Sequence, residues 1–472
     1  MAGSTQPMYV ENPSMTEVGD VKDEVWGWLI PQAEGLTSVL LKNLAVCAGR
    51  DGDSCAIVFK SETFDGKGED IVVDKVSRVH FRLSYDPTEE KAVLEDLSMN
   101  GTWVNGARVG RKNTMVLEHG STISILSPIL SVFSYLDSSS MSRIFPRVLT
   151  DKYLVGKKLG EGATATVYLG YSRHNELSEV ALKMIATTSW PSKYSEPVHL
   201  TSEVIVLADL DHPCITKFKE VLTSEKCTTI VMEYARGGEL FDRVVEDYDK
   251  NNLTERMAKF QFYQIVEAVR YLHSKQVCHR DLKLENLLLS DTGKYPLIKV
   301  SDFGLSKQWE GCSLHSYVGT PVYMAPEVLA VALGDGVTTS YTSKADCWSL
   351  GVILYILLCC RHPFNKDDDS FFRCIQEGRF NSMSGSTWEN ISVSAKNLVR
   401  ALLEVDPKKR LDTEEILKHG WFTDDPDTVL ASKRTIWGAE ARVVTQTNDS
   451  GVDLGTVKPK RMKMDLNDNL NT

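Results

Sequence analysis

Three short motifs in fixed order, between His279 and Glu327, limit what this chain can fold into more than any other feature. They are His279-Arg-Asp281-Leu-Lys283-Leu-Glu-Asn286, then Asp302-Phe-Gly304 sixteen residues after Asn286, then Ala325-Pro-Glu327. Their residue types suit phosphoryl transfer. That reaction asks a protein for an aligned hydroxyl, a carboxylate to receive its proton, and metal ions on the phosphates. Asp281 fits the carboxylate. Asn286 and Asp302 offer oxygen ligands to Mg²⁺, a hard cation. Lys283 can steady the phosphate in transfer. Upstream, Gly160-Glu-Gly162-Ala-Thr-Ala165-Thr-Val167 reads as a strand–turn–strand whose glycines let backbone approach phosphate oxygens, with Ala165 at the third glycine position. Val180-Ala-Leu-Lys183 reads as a strand ending in a lysine placed for the α- and β-phosphates, and Ser202-Glu203 follows on a helix from which Glu203 can pair with Lys183. Each piece alone has an ordinary reading: a turn, a solvated lysine, a weak surface ion pair. It is their order that favours chemistry.

The chain has 472 residues, too many for one ordinary core, so two or three domains are expected. Hydrophobic residues at 42% and charged residues at 25% are a soluble globular mixture. The net charge of −11 argues against a general nucleic-acid binder. Ten cysteines lie scattered in apolar segments without zinc spacing, which suits reduced thiols in an intracellular protein. No secretory signal is read at the N-terminus. The longest apolar run, Leu350–Cys360, is too short to span a bilayer and reads as a buried helix, so no membrane partner is expected.

Residues 1–24 are polar and read as a disordered arm. Residues 25–136 are strand-like, with runs at Ala56–Phe59, Asp70–Val73, His80–Ser84, Ala92–Leu94 and Thr122–Leu126 between Gly-, Asn- and Asp-rich turns, which predicts an all-β sandwich. Residues 137–152, opening on a Ser-rich stretch, read as a linker. From 153 to 422 strands (Tyr153–Gly160, Thr166–Tyr171, Glu179–Ile185) give way to helical spacing, as over Thr254–His273, which predicts a two-lobed α+β fold. Residues 423–472 read as a polar tail with a basic cluster.

Over Tyr153–Phe422 these motifs resemble the eukaryotic protein-kinase family. The resemblance implies ATP as phosphoryl donor, with Mg²⁺. The segment Thr229–Ala235 resembles the gatekeeper and hinge, so Met232, Glu233 and Ala235 are expected beside adenine and Glu239 at the ribose. Leu288 resembles the floor under the base, with Leu159, Val167 and Ala181 above it. Asp346 resembles the brace of the catalytic loop, and Glu327 and Arg410 the buried ion pair of the helical lobe. Lys283, with Gly319-Thr320-Pro321 and Tyr323, resembles kinases that act on protein serine and threonine. Glu239 and Glu285 suggest a basic residue upstream of the acceptor.

In the first domain Gly49-Arg50, Ser77-Arg78-Val79-His80 and Asn100-Gly101-Thr102-Trp-Val-Asn105 have a plain reading as turns with surface cations. Together, over Trp26–Leu136, they resemble the forkhead-associated domain, which implies phosphothreonine recognition by loops at one end of a sandwich. Arg50 and Arg78 supply charge-assisted donors, Ser77 a hydroxyl, and Asn100 a hold on the peptide backbone; His80 and Gly101 shape the loops.

The layout of the two domains resembles the checkpoint kinase 2 family, which implies a serine/threonine kinase of the DNA-damage response. Thr5-Gln6 is the dipeptide type that damage-activated kinases target. Phosphorylated Thr5 is expected to dock on Arg50, Ser77 and Arg78 of a second copy, so that the dimer phosphorylates Ser316 or Thr320 in trans. Arg280 can then receive a phosphate on the activation segment. Lys458-Pro-Lys-Arg-Met-Lys463 is read as a nuclear import signal against the plain alternative of a solvated tail. Two other functions compete: a phosphothreonine-binding scaffold with an inactive kinase fold, and a calmodulin-controlled kinase, which would need a basic amphipathic helix after residue 422.

Overall fold

Short runs with alternate residues turned inward build the first domain. In β5 (Phe81–Asp86), Phe81 and Leu83 are buried while Arg82 faces water. The computed structural model describes residues 25–33, 35–60, 73–162, 165–174, 177–186, 208–302, 321–333, 342–365 and 369–438. The remaining strands of the domain are β1 (Gly27–Pro31), β2 (Val39–Leu41), β3 (Ala45–Gly49), β4 (Ile57–Val58), β6 (Lys91–Asp96), β7 (Thr102–Val104), β8 (Ala107–Arg108), β9 (Thr114–Leu117), β10 (Thr122–Ile125) and β11 (Ser131–Asp137). They form two sheets, ordered β2-β1-β11-β10-β7-β8 and β4-β3-β5-β6-β9, in which only β3 and β4 pair in parallel. Leu29, Phe59, Phe81, Leu83, Leu94, Ile123 and Phe133 fill the space between them. Each such side chain contributes about 1.5–3 kcal/mol by leaving water. The strand expected at Asp70–Val73 is only partly among the described residues; Val73 instead opens a single 3₁₀ turn, Val73–Lys75.

The stretch expected as a linker is helical. Asp137 caps α1 (Ser138–Ile144): its carboxylate accepts from the Ser139 N–H at 2.9 Å and from the Ser139 and Ser140 hydroxyls at 2.9 and 2.6 Å. Serines that read as linker composition are thus the first turn of a capped helix. A short α2 (Arg147–Thr150) follows. Met141, Phe145 and Leu149 then join Ile30 and Leu136 of the sandwich to Tyr153, Leu154, Leu169 and Leu182 of the second domain in one buried cluster.

The second domain begins with a five-stranded antiparallel sheet. Its strands are β12 (Tyr153–Glu161), β13 (Ala165–Ser172), β14 (Glu179–Ala186), β15 (Phe218–Thr223) and β16 (Cys227–Glu233), ordered β12-β13-β14-β16-β15. The helical lobe is built on α3 (Leu240–Asp249), α4 (Glu255–Ser274), α5 (Pro326–Leu333), α6 (Ser343–Cys359), α7 (Phe371–Gln376), α8 (Ser386–Glu389), α9 (Val393–Leu402), α10 (Thr413–Leu417) and α11 (Gly420–Thr423). The hairpin β17 (Leu287–Leu289) and β18 (Ile298–Val300) lies on this lobe. Thr254 caps α4, accepting from the Met257 N–H at 3.2 Å. The apolar run expected as a buried helix is α6, buried throughout from Ala345 to Cys359. Among the described residues no helix is long and apolar enough to cross a membrane.

The tail read as polar from 423 begins with one more packed helix, α12 (Pro426–Trp437), whose buried residues are Thr428, Ser432 and Ile436. It lies along α4 through Lys259–Asp425 at 3.1 Å and the Ser432 hydroxyl on the Phe260 carbonyl at 3.2 Å. Its inner face is mostly small hydroxyl residues, so hydrophobic spacing alone does not reveal it.

Candidate active site and phosphate-binding loops

The catalytic loop follows α4 and is pinned from below. Arg280 has a φ of +69°, a left-handed conformation that costs a non-glycine residue about 1–2 kcal/mol. Asp346, fully buried on α6, opposes that cost by accepting the N–H groups of His279 at 2.9 Å and Arg280 at 3.1 Å, and His273 Nε2 at 2.8 Å. Burial alone would raise the Asp346 carboxyl pKa; its bond to His273 and the neighbouring donors outweigh burial and hold it below the usual carboxylate range. His279 is also fully buried, and burial pushes its pKa down, so the ring is neutral. Its Nδ1 accepts the Asp281 N–H at 3.3 Å, and its Nε2–H donates to the Ser301 carbonyl at 3.0 Å. One ring therefore ties the loop bearing Asp281 to the residue before Asp302.

Five of the residues singled out from the sequence meet, three around Asp281 and two in a separate pair. Lys283 Nζ lies 2.9 Å from Asp281 Oδ2, and Asn286 Nδ2 donates to the Asp281 carbonyl at 2.6 Å and to Oδ2 at 3.3 Å. Lys183 Nζ lies 2.7 Å from Asp302 Oδ1. Asn286 spends its amide donor on Asp281, so its Oδ1 is the atom left for a metal. With the Asp302 carboxylate it makes a hard-oxygen pair that phosphate oxygens can complete, which fits Mg²⁺. Glu203, the expected partner of Lys183, lies outside the described residues. So do Ser316, Thr320, Thr5 and the basic cluster of the tail.

The residues expected to line a nucleotide cleft lie on the sheet, the hinge and the β17 hairpin. Val167 stands opposite Lys183, and Ala181 opposite Met232, in the sheet register. Gly160 pairs with Val167, and the hairpin tip closes with the Gly162 N–H on the Ala165 carbonyl at 2.8 Å. A Cβ on Gly160 would meet nothing among the described residues. Leu159 is exposed and Leu288 half-buried. After the hinge, Glu239 bridges Leu288, and a Cβ on Gly237 would lie 2.2 Å from the Asp291 carbonyl, so only glycine lets the two segments close. The Glu233 carboxylate is occupied by Lys299 at 2.9 Å, and its N–H by the Lys217 carbonyl at 2.8 Å. Ala235 is buried just beyond it. Glu239 has its pKa raised by desolvation and by the carboxylates of Asp242 and Glu285, with Lys283 opposing. Farther down, Arg410 makes a bidentate pair with Glu327 at 2.7 and 2.9 Å.

The other loops sit at one end of the sandwich. A Cβ on Gly49 would lie 2.1 Å from the Arg78 carbonyl, which brings the end of β3 against the 77–79 loop. There the Arg50 N–H donates to the Ser77 carbonyl, and the Asp51 N–H to the Arg78 carbonyl, each at 3.1 Å. His80, fully buried and kept neutral by burial, accepts the Ser77 N–H at 3.2 Å and donates Nε2–H to the Gly101 carbonyl at 3.0 Å. The Ser77 hydroxyl accepts the Met99 N–H at 3.0 Å, and its own hydrogen is left to donate. Asn100 Nδ2 donates to the Lys75 carbonyl at 2.7 Å, and Asn100 itself is exposed. Arg78 is mostly exposed but paired with Asp51 at 2.8 Å, whereas Arg50 has no carboxylate partner among the described residues. Asp51 was not singled out from the sequence; its place directly after Arg50 was the available signal. Nothing in the sequence pattern marks Ser301 or Lys75, whose parts are played by backbone carbonyls.

The protein kinase domain family matches residues 153–422, and the FHA domain family matches residues 46–126. The ovarian-specific serine/threonine-protein kinase Lok of Drosophila melanogaster is 32% identical over 398 residues, which cover 82% of this chain and 81% of Lok. The serine/threonine-protein kinase chk-2 of Caenorhabditis elegans is 32% identical over 403 residues, 84% and 82% of the two chains. The chain belongs to the checkpoint kinase 2 family of serine/threonine protein kinases. Among solved structures, Rad53 1–466 in complex with AMP-PNP is alike at a TM-score of 0.49 and 24% identity, covering 84% of this chain and 100% of that one, a likeness too loose to add to the assignment. This kinase thus carries a forkhead-associated domain ahead of a protein kinase domain, and the two clusters of candidate site residues fall one in each.

Proposed function

We propose that this kinase transfers the γ-phosphoryl group of ATP to protein serine and threonine with Asp281 receiving the hydroxyl proton. The observation that carries the reading is the double hold on Asp281 Oδ2, by Lys283 Nζ at 2.9 Å and Asn286 Nδ2 at 3.3 Å. A carboxylate held at one oxygen from two sides is fixed in orientation before the acceptor hydroxyl arrives. Lys283 then passes to the phosphate as the acceptor hydroxyl arrives, and Lys183 leaves Asp302 for the α- and β-phosphates. Mg²⁺, held by Asn286 and Asp302, supplies the charge that neutralises the phosphate oxygens. Adenine lies between Leu288 and Leu159, Val167 and Ala181, against Met232, Glu233 and Ala235, with Glu239 at the ribose. The glycines Gly160 and Gly162 admit the phosphates. Phosphate transfer to a Ser/Thr peptide, measured on wild type and Asp281→Ala, tests this; undiminished transfer by the variant would remove the reading.

The acidic trio Glu239, Asp242 and Glu285 supports a preference for substrates with a basic residue upstream of the acceptor. At saturating ATP, so that the place of Glu239 at the ribose does not limit turnover, Glu239→Ala should raise KM for such a peptide by about tenfold, the size of one charge-assisted contact. An equal KM change for a peptide with a neutral residue there would contradict it.

Control is the second half of the proposal. A damage-activated upstream kinase phosphorylates Thr5; that phosphothreonine docks on Arg50, Ser77, Arg78 and Asn100 of another copy. The resulting dimer phosphorylates Ser316 or Thr320 in trans, and other phosphothreonine proteins use the same loops. The Arg50 guanidinium, unpaired with any carboxylate among the described residues, and the Ser77 hydroxyl support the docking. The kinase would work in the nucleus, in the DNA-damage checkpoint, entering by Lys458–Lys463. A Thr5→Ala chain that dimerises and activates normally after damage would refute the docking step, and undiminished nuclear accumulation after deletion of residues 457–464 the import step.

A further inference from the structure

The helix after the kinase lobe ends on an aromatic contact that leads to β18, the strand that ends two residues before Asp302. Trp437, the last residue of α12, sets its ring edge-on to His212, with centroids 5.1 Å apart and an interplanar angle of 85°. His212 is buried and leans on Tyr271 of α4, with ring centroids again 5.1 Å apart. The Tyr271 hydroxyl accepts the Asp211 N–H at 3.0 Å. The turn is locked from within: His212 Nδ1 accepts the Cys214 N–H at 3.1 Å, and the His212 carbonyl accepts the Ile215 N–H at 3.0 Å.

The residues that follow pair with β18. Val300 donates its N–H to the Cys214 carbonyl at 2.8 Å, and the Val300 carbonyl accepts the Thr216 N–H at 3.0 Å. Val300 stands two residues before Asp302, and the next residue, Ser301, is bonded to the Asn286 carbonyl through both N–H at 2.9 Å and hydroxyl at 3.0 Å. The 212–216 turn is therefore an added edge on the strand that delivers Asp302. That turn rests on two rings, one from α4 and one from α12.

We propose that Trp437 is a positioning residue for phosphoryl transfer: it fixes the His212 turn, and the turn fixes Val300 and so the place of Asp302 beside Asn286. This rests on the reading of Asp302 and Asn286 given above. Two features of α12 point to such a use. Its anchoring contacts are Lys259–Asp425, Arg256 Nε on the Thr428 hydroxyl at 3.2 Å, the Ser432 hydroxyl on the Phe260 carbonyl and the buried Ile436, so attachment to the lobe does not rest on Trp437. Trp437 is also half exposed, at 49%, so its ring removes much less apolar surface from water than a core tryptophan does, and its contact with His212 is its specific feature.

The test uses the full chain, with wild type, Trp437→Ala, Trp437→Phe and Thr428→Ala brought to the same phosphorylation state as judged by intact mass. Hydrogen exchange at the Thr216 and Val300 amides reads the turn directly. In Trp437→Ala both amides should exchange about 3- to 10-fold faster, the effect of losing one aromatic contact. Binding of a fluorescent ATP analogue should weaken by a similar factor in Mg²⁺ and not in its absence, and kcat should fall while the KM for peptide stays. Trp437→Phe should restore all three. Thr428→Ala should lower the thermal midpoint without changing the two amides. Wild-type exchange at Thr216 and Val300 in Trp437→Ala would overturn the proposal. So would a fall in kcat matched by Thr428→Ala at equal loss of midpoint. An Asp302→Ala chain that still transfers phosphate would instead remove the reading of Asp302, whatever the amides do.

Discussion

The forkhead-associated loops and the catalytic loop handle phosphate under opposite electrostatic conditions, yet one device pins both. Each rests on a fully buried, neutral histidine. His80 joins the Ser77 N–H to the Gly101 carbonyl, and His279 joins the Asp281 N–H to the Ser301 carbonyl. A neutral imidazole suits this work because it donates at one nitrogen and accepts at the other, and desolvation keeps it in that form. The difference lies in what the pinned loops present. The catalytic charges arrive already neutralised by one another, Lys283 by Asp281 and Lys183 by Asp302, so a nucleotide must exchange partners with them. Among the described residues the sandwich loops present Arg50 without a carboxylate and Arg78 with one. Recognition there is prepared, whereas chemistry waits for its ligand.

The harshest trial of this contrast is Asp281→Ala. General-base and positioning terms together predict a loss of roughly 10²–10⁴-fold in kcat. Affinity for a phosphothreonine peptide, measured by fluorescence anisotropy on the same protein, should not change, because the described contacts of Asp281 are with Lys283, Asn286 and His279 of its own loop. A parallel loss of peptide affinity would mean that the two regions are not independent.

The sandwich offers a finer comparison. Arg50→Ala should weaken phosphothreonine-peptide binding about 10- to 100-fold, the range of one or two charge-assisted hydrogen bonds. Arg78→Ala should cost less, since binding already has to compete with Asp51 for that guanidinium, and Asp51 is itself mostly buried. Calorimetric titration with phosphorylated and unphosphorylated peptides separates the two variants. The reverse order would show that Asp51 orients Arg78 for the ligand more than it neutralises it.

Much of this was legible in the sequence because it is local. The spacing of Asp281, Lys283 and Asn286 places them on one loop whatever the rest of the chain does. The alternation in Phe81-Arg-Leu83 declares a half-buried strand. What stayed hidden depends on partners remote in sequence. Asp346 reaches His279 across 67 residues, and Arg410 reaches Glu327 across 83; both pairings came from family resemblance, not from spacing. The α1 helix and α12 were read as linker and tail because serine and threonine carry their caps and buried faces, and hydroxyls weigh as polar in any hydrophobic pattern. The ties of Asn100 to Lys75 and His279 to Ser301 end on backbone carbonyls, for which the sequence holds no sign at all.

The smallest expected effect tests the shared histidine device itself. His80 and His279 both have pKa values pushed below 6.5 by burial, and burial takes His212 to about 4. The unfolded chain binds protons at these sites near pH 6.5, and the folded chain does not. Their contribution to stability is therefore complete above about pH 6.5 and is lost as pH falls from there toward the folded-state values. Thermal midpoints should be level from pH 7.5 to 6.5 and decline by pH 5, for the sandwich and the kinase lobe alike. Replacing His80 by Gln, which keeps a donor and an acceptor but does not titrate, should lower the sandwich midpoint and flatten its decline. It is the slope that decides: an unchanged slope in His80→Gln would mean that the ring carries a proton when folded, and a protonated ring could not accept the Ser77 N–H that holds the phosphate-binding loop.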